Sequence, residues 1–169
     1  MWTELDQLYA RITDLKSQNI MVTTYGCDDN RDTPDADILC DFMEYIYHKH
    51  PSERPDWMEA FYQILCWQFQ SFHEGVDTYY ENFYGLSDDL LLTKTVRFLW
   101  ENGYREIAEK YQQGRNAYIC CPYPDGKRED GKKADIREID TWINWHTEVV
   151  WKFCLDVLEQ NKAEWKKIR

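Results

Sequence analysis

The sequence predicts an all-α fold, a single domain (residues 1–169) of six or seven helices around one central apolar helix. Two observations carry that prediction, and a third removes its rival. Apolar side chains recur at spacings of three and four along almost the whole chain, the period of a helix with one buried face. One segment, DWMEAFYQILCWQFQSF, is apolar on nearly all sides, as a helix surrounded by others must be. No β-hairpin pattern is present, and the short run AYICC, which would suit an extended segment, stands alone. At 169 residues the chain is long enough for a real core, and its 16% aromatic content separates it from disordered sequences.

The elements follow in order. Trp2, Leu5, Leu8, Tyr9, Ile12 and Leu15 form the stripe of a first helix, and residues 20–33 break the pattern. Thr33 as N-cap and Pro34 at the first helical position open a second, with Ile38, Leu39, Phe42 and Ile46 as its apolar face. The segment HKHPSERP, residues 48–55, ends it. The central helix is read over 57–72, with Trp57, Phe61, Ile64, Leu65, Phe69 and Phe72 on one face and Met58, Tyr62 and Cys66 on another. Ser87 caps SDDLLLTKTVRFLWENG, whose first-turn aspartates suit the helix dipole, and Asn102-Gly103 stops it. YREIAEKYQQG reads as a short helix closed by Gly114, and residues 115–134 as a long polar loop. Ile139, Ile143, His146, Val150, Phe153 and Val157 then predict the longest helix, over about 136–160.

Charge narrows the classes of function. The net charge is −11 and uneven: residues 1–109 carry 21 acidic and 8 basic side chains (−13), residues 110–169 carry 10 and 12 (+2). Phosphate binding needs clustered Lys and Arg, so direct nucleic-acid binding is disfavoured and a basic partner is favoured. No run reaches the ~18 apolar residues of a membrane span, and the N-terminus lacks a basic-then-apolar signal pattern. The expectation is a cytoplasmic protein without a membrane partner.

Catalytic and metal signals are weak. The six cysteines, at 27, 40, 66, 120, 121 and 154, lack paired CxxC spacing. Cys40, Cys66 and Cys154 sit in apolar helical patterns. Cys120-Cys121 reads as a reduced pair before Pro122, with a redox or soft-metal site as the other reading. His48 and His50 point in different directions on a helix end, and His146 falls on a core stripe. Nothing selects Glu74 with Asp77, or Asp88 with Asp89, as an acid/base pair. GxSxG, P-loop and GxGxxG motifs are missing. No metal, no cofactor and no enzymatic activity are expected, with an enzyme of unrecognised type kept as an alternative.

The acidic segment is more informative. CDDNRDTPDADILCDFMEY sets Asp28, Asp29, Asp32, Asp35, Asp37, Asp41 and Glu44 against Arg31 alone. Asp37, Asp41 and Glu44 fall at i, i+4 and i+7, on one helix face, with neighbouring carboxylates roughly 5–6 Å apart. Their repulsion costs only a few tenths of a kcal/mol, so a solvated face explains them. The functional reading is a charged stripe for a basic partner, spaced on the scale of a phosphate backbone.

FQSFHEGVDTYYENFYG reads as a fold corner in which aromatics pack two helices together. Within it, HEGVDTYYEN, His73 to Asn82, resembles the signature of a bacterial family of acidic helical proteins. This is the DNA-mimic-protein-like family, largely a domain of unknown function. The signature runs Asn-Gly-Gly-Phe, one residue, Gln-Tyr-Phe, one residue, Asn. Gly75, Tyr79 and Asn82 match as they stand, Tyr80 replaces Phe, and Val76 holds the apolar place. His73, Glu74 and Thr78 depart from it. FLWENGYREIAEKY, Phe98 to Tyr111, resembles the family's helix that ends in Gly and restarts toward an Ala, so the likeness covers about residues 57–114. The resemblance implies an all-α fold. From a member that imitates duplex DNA, it also implies binding to the basic surface of a transcription factor or other DNA-binding protein. With one glycine where the family has two, Gly75 alone supplies the positive φ of the corner, and Asn82 is expected to bond backbone at the next break. The alternative partner is a toxin blocked by an immunity or antitoxin-like protein. A homodimer is compatible with both.

Overall fold

A computed structural model of the chain describes residues 17, 22–23, 26–27, 37–83, 88–119 and 130–165. The predicted first stripe, Thr33-Pro34, Ser87 and Cys120-Cys121 lie outside the described residues. The chain is all-α. Its helices are α1 (Asp37–Tyr47), α2 (Asp56–Glu74), α3 (Val76–Phe83), α4 (Asp88–Glu101), α5 (Arg105–Ile119), α6 (Asp130–Trp145), α7 (Thr147–Gln160) and α8 (Lys162–Trp165). The described strand content is one antiparallel pair, β1 (Val22–Thr23) with β2 (Gly26–Cys27).

Helix α2 is the hub, packing against α1, α3, α4, α6 and α7. Met58 to Phe61 and Gln63 to Gln68 are all buried, more than one helix face can hold, so neighbours must cover it on several sides. Phe61, Ile64, Leu65 and Trp67 are fully enclosed, and each such apolar side chain contributes about 1.5–3 kcal/mol by leaving water. From α7, Val150, Trp151, Phe153, Cys154, Val157 and Leu158 complete the core. The Trp151 indole donates to Gln68 Oε1 at 2.9 Å.

The breaker at 48–55 works through Arg54, which is buried. Its guanidinium donates to the Tyr47 carbonyl (3.4 Å), a C-terminal group of α1 without a helical partner, and to the Lys49 carbonyl just beyond it (3.0 Å). It also meets Glu59 Oε2 at 3.3 Å and lies over the Tyr62 ring at 4.8 Å. Lys94 of α4 reaches the Arg54 carbonyl (3.0 Å) and, with Arg97, binds Asp56, pinning α4 to the start of α2.

Three sequence expectations are corrected. Gly114 does not close a helix. It lies buried inside α5, which runs on to Ile119 and takes in the Ala117–Ile119 part of the AYICC run. A Cβ at Gly114 would meet Tyr80 Cε2 and Oη at 2.8 Å, so this glycine is a notch that admits the Tyr80 ring. The polar segment read over 115–134 is correspondingly shorter, since α5 ends at 119 and α6 begins at 130.

The helix expected over 136–160 is two helices. His146 interrupts it with φ −122° and ψ 33°. The cause is a local competition. The His146 ring, through Nδ1, bonds the Trp142 carbonyl at 2.7 Å, the group that the residue 146 amide would take in an unbroken helix. The ring also stacks flat on the Trp142 indole, at 4.9 Å and 9°. The longest described helix is therefore α2, with 19 residues.

Candidate functional site

The α2–α3 corner comes first, because the HEGVDTYYEN stretch falls on it. Gly75 terminates α2 with φ 92° and ψ 154°, a backbone region that is essentially open to glycine alone. The next amide, Val76 N–H, donates to Asp140 Oδ1 of α6 at 2.6 Å, so a carboxylate from a distant helix caps the α3 N-terminus. A Cβ on Gly75 would meet Asp77 Oδ1 at 2.9 Å and Asp140 Oδ2 at 3.6 Å.

Tyr79 and Tyr80 follow, both buried. Tyr79 Oη donates to Gln63 Oε1 at 2.5 Å and bonds Tyr111 Oη at 2.6 Å. Tyr80 Oη donates to the Tyr111 carbonyl at 2.6 Å. Gln63 Nε2 in turn donates to Glu59 Oε1 at 2.7 Å, and Glu59 holds Arg54. A closed polar chain thus runs from Arg54 through Glu59, Gln63 and Tyr79 to Tyr111. It satisfies groups that would otherwise be costly to bury. Burial pushes the Tyr79 and Tyr80 phenols well above their ordinary range, as it does Tyr111. Neutral, enclosed phenols of this kind hold three helices together. The break at which Asn82 is expected to bond backbone, residues 84–87, lies outside the described residues. Asn82 is exposed, and its Nδ2 donates to Gln70 Oε1 at 3.0 Å, since α3 and the end of α2 lie close enough for the two amides to meet.

On the acidic stripe, α1 buries Leu39, Phe42 and Ile46 and exposes Glu44. Glu44 lies 3.9 Å from His48 Nε2, both largely in solvent, an arrangement that contributes little energy. Helix α1 begins at Asp37, which sets positions 37, 41 and 44 on one side of its backbone. Asp28, Asp29, Asp32 and Asp35 lie outside the described residues.

A cleft of about 230 Å³ opens between the start of α5 and α7. Tyr104 and Phe153 meet edge to face there, at 4.8 Å. Lys152 bonds Asp156 at 2.9 Å, and Glu106 accepts from the Trp142 indole at 3.3 Å. Burial first, then the Asp156 charge, raises the Tyr104 pKa. Sequence reading missed this cleft because its walls come from residues 103–107 and 148–156, which no local pattern joins. The available signal was the pair of aromatics, Tyr104 and Phe153, at the edges of two helical stripes.

Among the described residues, no group of three His, Cys, Asp or Glu side chains is placed to hold a metal ion. Cys66 and Cys154 are buried free thiols. Burial pushes the Cys66 thiol up to about 12 and raises Cys154 as well, so neither presents a ready thiolate. No described helix is long and apolar enough to cross a membrane. No family model matches the chain, and neither a curated protein nor a solved structure matches it.

Proposed function

We propose that the chain is a non-enzymatic, acidic protein-binding protein that occupies the basic surface of a DNA-binding protein, as a mimic of duplex DNA. The observation that carries this reading is how the two signs of charge are used. Lys94 and Arg97 are committed to Asp56, Lys110 to Glu138, Lys152 to Asp156, and Arg54 is buried on Glu59. Among the described residues nine glutamates stand exposed (Glu44, Glu53, Glu74, Glu81, Glu101, Glu106, Glu109, Glu138 and Glu159) against four exposed cations (Arg97, Arg105, Arg137 and Lys152). The outward field is therefore that of a polyanion, on a chain whose net charge is −11. The resemblance of HEGVDTYYEN to the DNA-mimic-protein-like signature supports the same reading, which places the protein in the cytoplasm with its partner.

Affinity capture from native lysate, at low and high salt, followed by competition with duplex DNA, tests it. The reading expects a salt-sensitive, DNA-binding partner that the protein displaces from its DNA. Exposed charges act mainly on association rate and salt dependence. The combined change Asp37→Asn, Asp41→Asn and Glu44→Gln should therefore slow association and flatten the salt slope while the fold survives. An unchanged rate and slope would reduce the α1 stripe to a solvated face, and capture of a toxin would assign an immunity role instead.

A further inference from the structure

Of the asparagines in the chain, only Asn102 is followed by glycine. Each of the others precedes a residue whose side chain crowds the next backbone nitrogen. The Asn102–Gly103 pair stands at the α4–α5 corner, and both residues are exposed. Gly103 has φ 84°, and nothing lies within 4 Å of the place its Cβ would take. The Gly103 nitrogen and the Asn102 side-chain carbonyl carbon are thus two ends of a five-membered ring waiting to close, with water on hand. Two bonds hold them in helical geometry instead. Asn102 Nδ2 donates to the Phe98 carbonyl at 2.8 Å, and the Gly103 N–H donates to the Trp100 carbonyl at 3.3 Å. Both belong to the last turn of α4, and helix ends open locally far more often than the whole fold does.

We propose that Asn102–Gly103 is a site of spontaneous backbone modification by water, gated by the opening of this corner. In the open form the Gly103 nitrogen gives its proton to water or hydroxide and attacks Asn102 Cγ. The bond from Cγ to Nδ2 breaks, the nitrogen takes up a proton and leaves as ammonia, and a succinimide ring is closed. Water then opens the ring at either carbonyl, giving aspartate or isoaspartate at position 102. One water enters and one ammonia leaves, so no oxidant or reductant is needed. Both products damage the corner. The donor to the Phe98 carbonyl is lost, and a carboxylate arrives at the C-terminal end of α4, where the helix dipole disfavours negative charge. Isoaspartate also adds a backbone methylene between Leu99 and Tyr104, which takes the 2.9 Å bond from Tyr104 N–H to the Leu99 carbonyl out of register. Tyr104 meets Phe153 edge to face at 4.8 Å, so the change reaches the packing of α5 on α7. This chemistry needs no partner and is independent of the charge reading.

The test compares the full chain with the free peptide Trp-Glu-Asn-Gly-Tyr-Arg in mildly alkaline buffer. Conversion is followed over time by peptide mass mapping, with aspartate and isoaspartate products separated by chromatography. In the full chain, position 102 should be the first asparagine to convert, and isoaspartate should be among the products. Its rate should lie about tenfold below that of the free peptide, equivalent to an opening of about 1.4 kcal/mol, the scale of the hydrogen bonds that must break. Urea below the unfolding transition should narrow that gap. Asn102→Gln keeps an amide donor but lengthens the ring that would have to close, so it should stop conversion at 102 with helical circular dichroism retained. Earlier conversion at any other asparagine would overturn the proposal. A rate equal to that of the free peptide would show that the corner does not gate the reaction. An intact position 102 after the free peptide has fully converted would make the corner a lock and overturn the site.

Discussion

Two corners of this molecule turn on a glycine with positive φ, Gly75 at 92° and Gly103 at 84°, and they are put to opposite uses. Around Gly75 the space is full. Asp77 and Asp140 crowd the place of a side chain, Asp140 caps the following helix, and Tyr79 and Tyr80 bury their rings directly after it. Around Gly103 there is nothing within 4 Å of a would-be Cβ. That corner closes α4 with local bonds, Tyr104 N–H to Leu99 O at 2.9 Å and Gly103 N–H to Trp100 O at 3.3 Å in the Schellman pattern, and Asn102 Nδ2 to the Phe98 carbonyl at 2.8 Å. It leaves Trp100 and the cleft beside Tyr104 open. The same local device builds scaffold where distant residues converge on it and displays surface where they do not. That contrast assigns the HEGVDTYYEN stretch to the fold.

The largest way to break the sealed corner is alkali. Tyr79, Tyr80, Tyr111, Cys66 and Cys154 all have pKa values raised by burial. A raised folded pKa means stability that is complete below the ordinary value, here 9.0 for the thiols and 10.0 for the phenols, and lost as pH climbs toward the folded values. Each such group withdraws about 1.4 kcal/mol per pH unit in that range. Stability should therefore fall from pH 9 upward and steepen beyond 10. Of the twelve tyrosines, these three should give phenolate absorbance only together with loss of helical circular dichroism. Titration of all the phenols with the helices intact would place these tyrosines in contact with solvent.

Substitutions come next. Gly75→Val should cost about 3 kcal/mol in urea unfolding, from a backbone region closed to branched side chains. Tyr79→Phe removes the donor to Gln63 Oε1 and the Tyr111 contact, and should cost about 2 kcal/mol, the penalty of leaving buried polar atoms unmatched. At the small end is Asp56, on the surface. Burial raises its pKa, but bonds from Lys94 and Arg97 outweigh that and leave it lowered from 3.8. Its contribution is present above that value and fades as pH falls through the lowered one. Since the carboxylate is 42% exposed, Asp56→Asn should change stability at neutral pH by no more than about 0.5 kcal/mol.

The all-round apolar character of α2 and the stop at Asn102-Gly103 are properties of contiguous residues, so both were legible in the sequence. Gly114 was not, because the same residue serves as a stop or as a notch depending on whether a ring from another helix lies over it. His146 was misread for a related reason. It keeps step with Ile143 and Val150, and only the reach of its ring to the Trp142 carbonyl breaks the helix. The capping of Val76 by Asp140 and the cleft of α5 and α7 join residues far apart in the chain, which periodicity does not connect. The exposed-acid surface was legible as charge, since charge needs no partner to be counted.

The division between a sealed and a displayed corner is tested most directly by paired urea unfolding of Gly75→Ala and Gly103→Ala. Both variants place the same methyl group on a positive-φ residue. Gly103→Ala should lose only about 1 kcal/mol, the backbone cost of a left-handed alanine. Gly75→Ala should lose about 2–3 kcal/mol, since its ψ of 154° lies in the glycine-only region and its methyl meets the Asp77 carboxylate. Equal losses, or a larger loss at Gly103, would contradict the account.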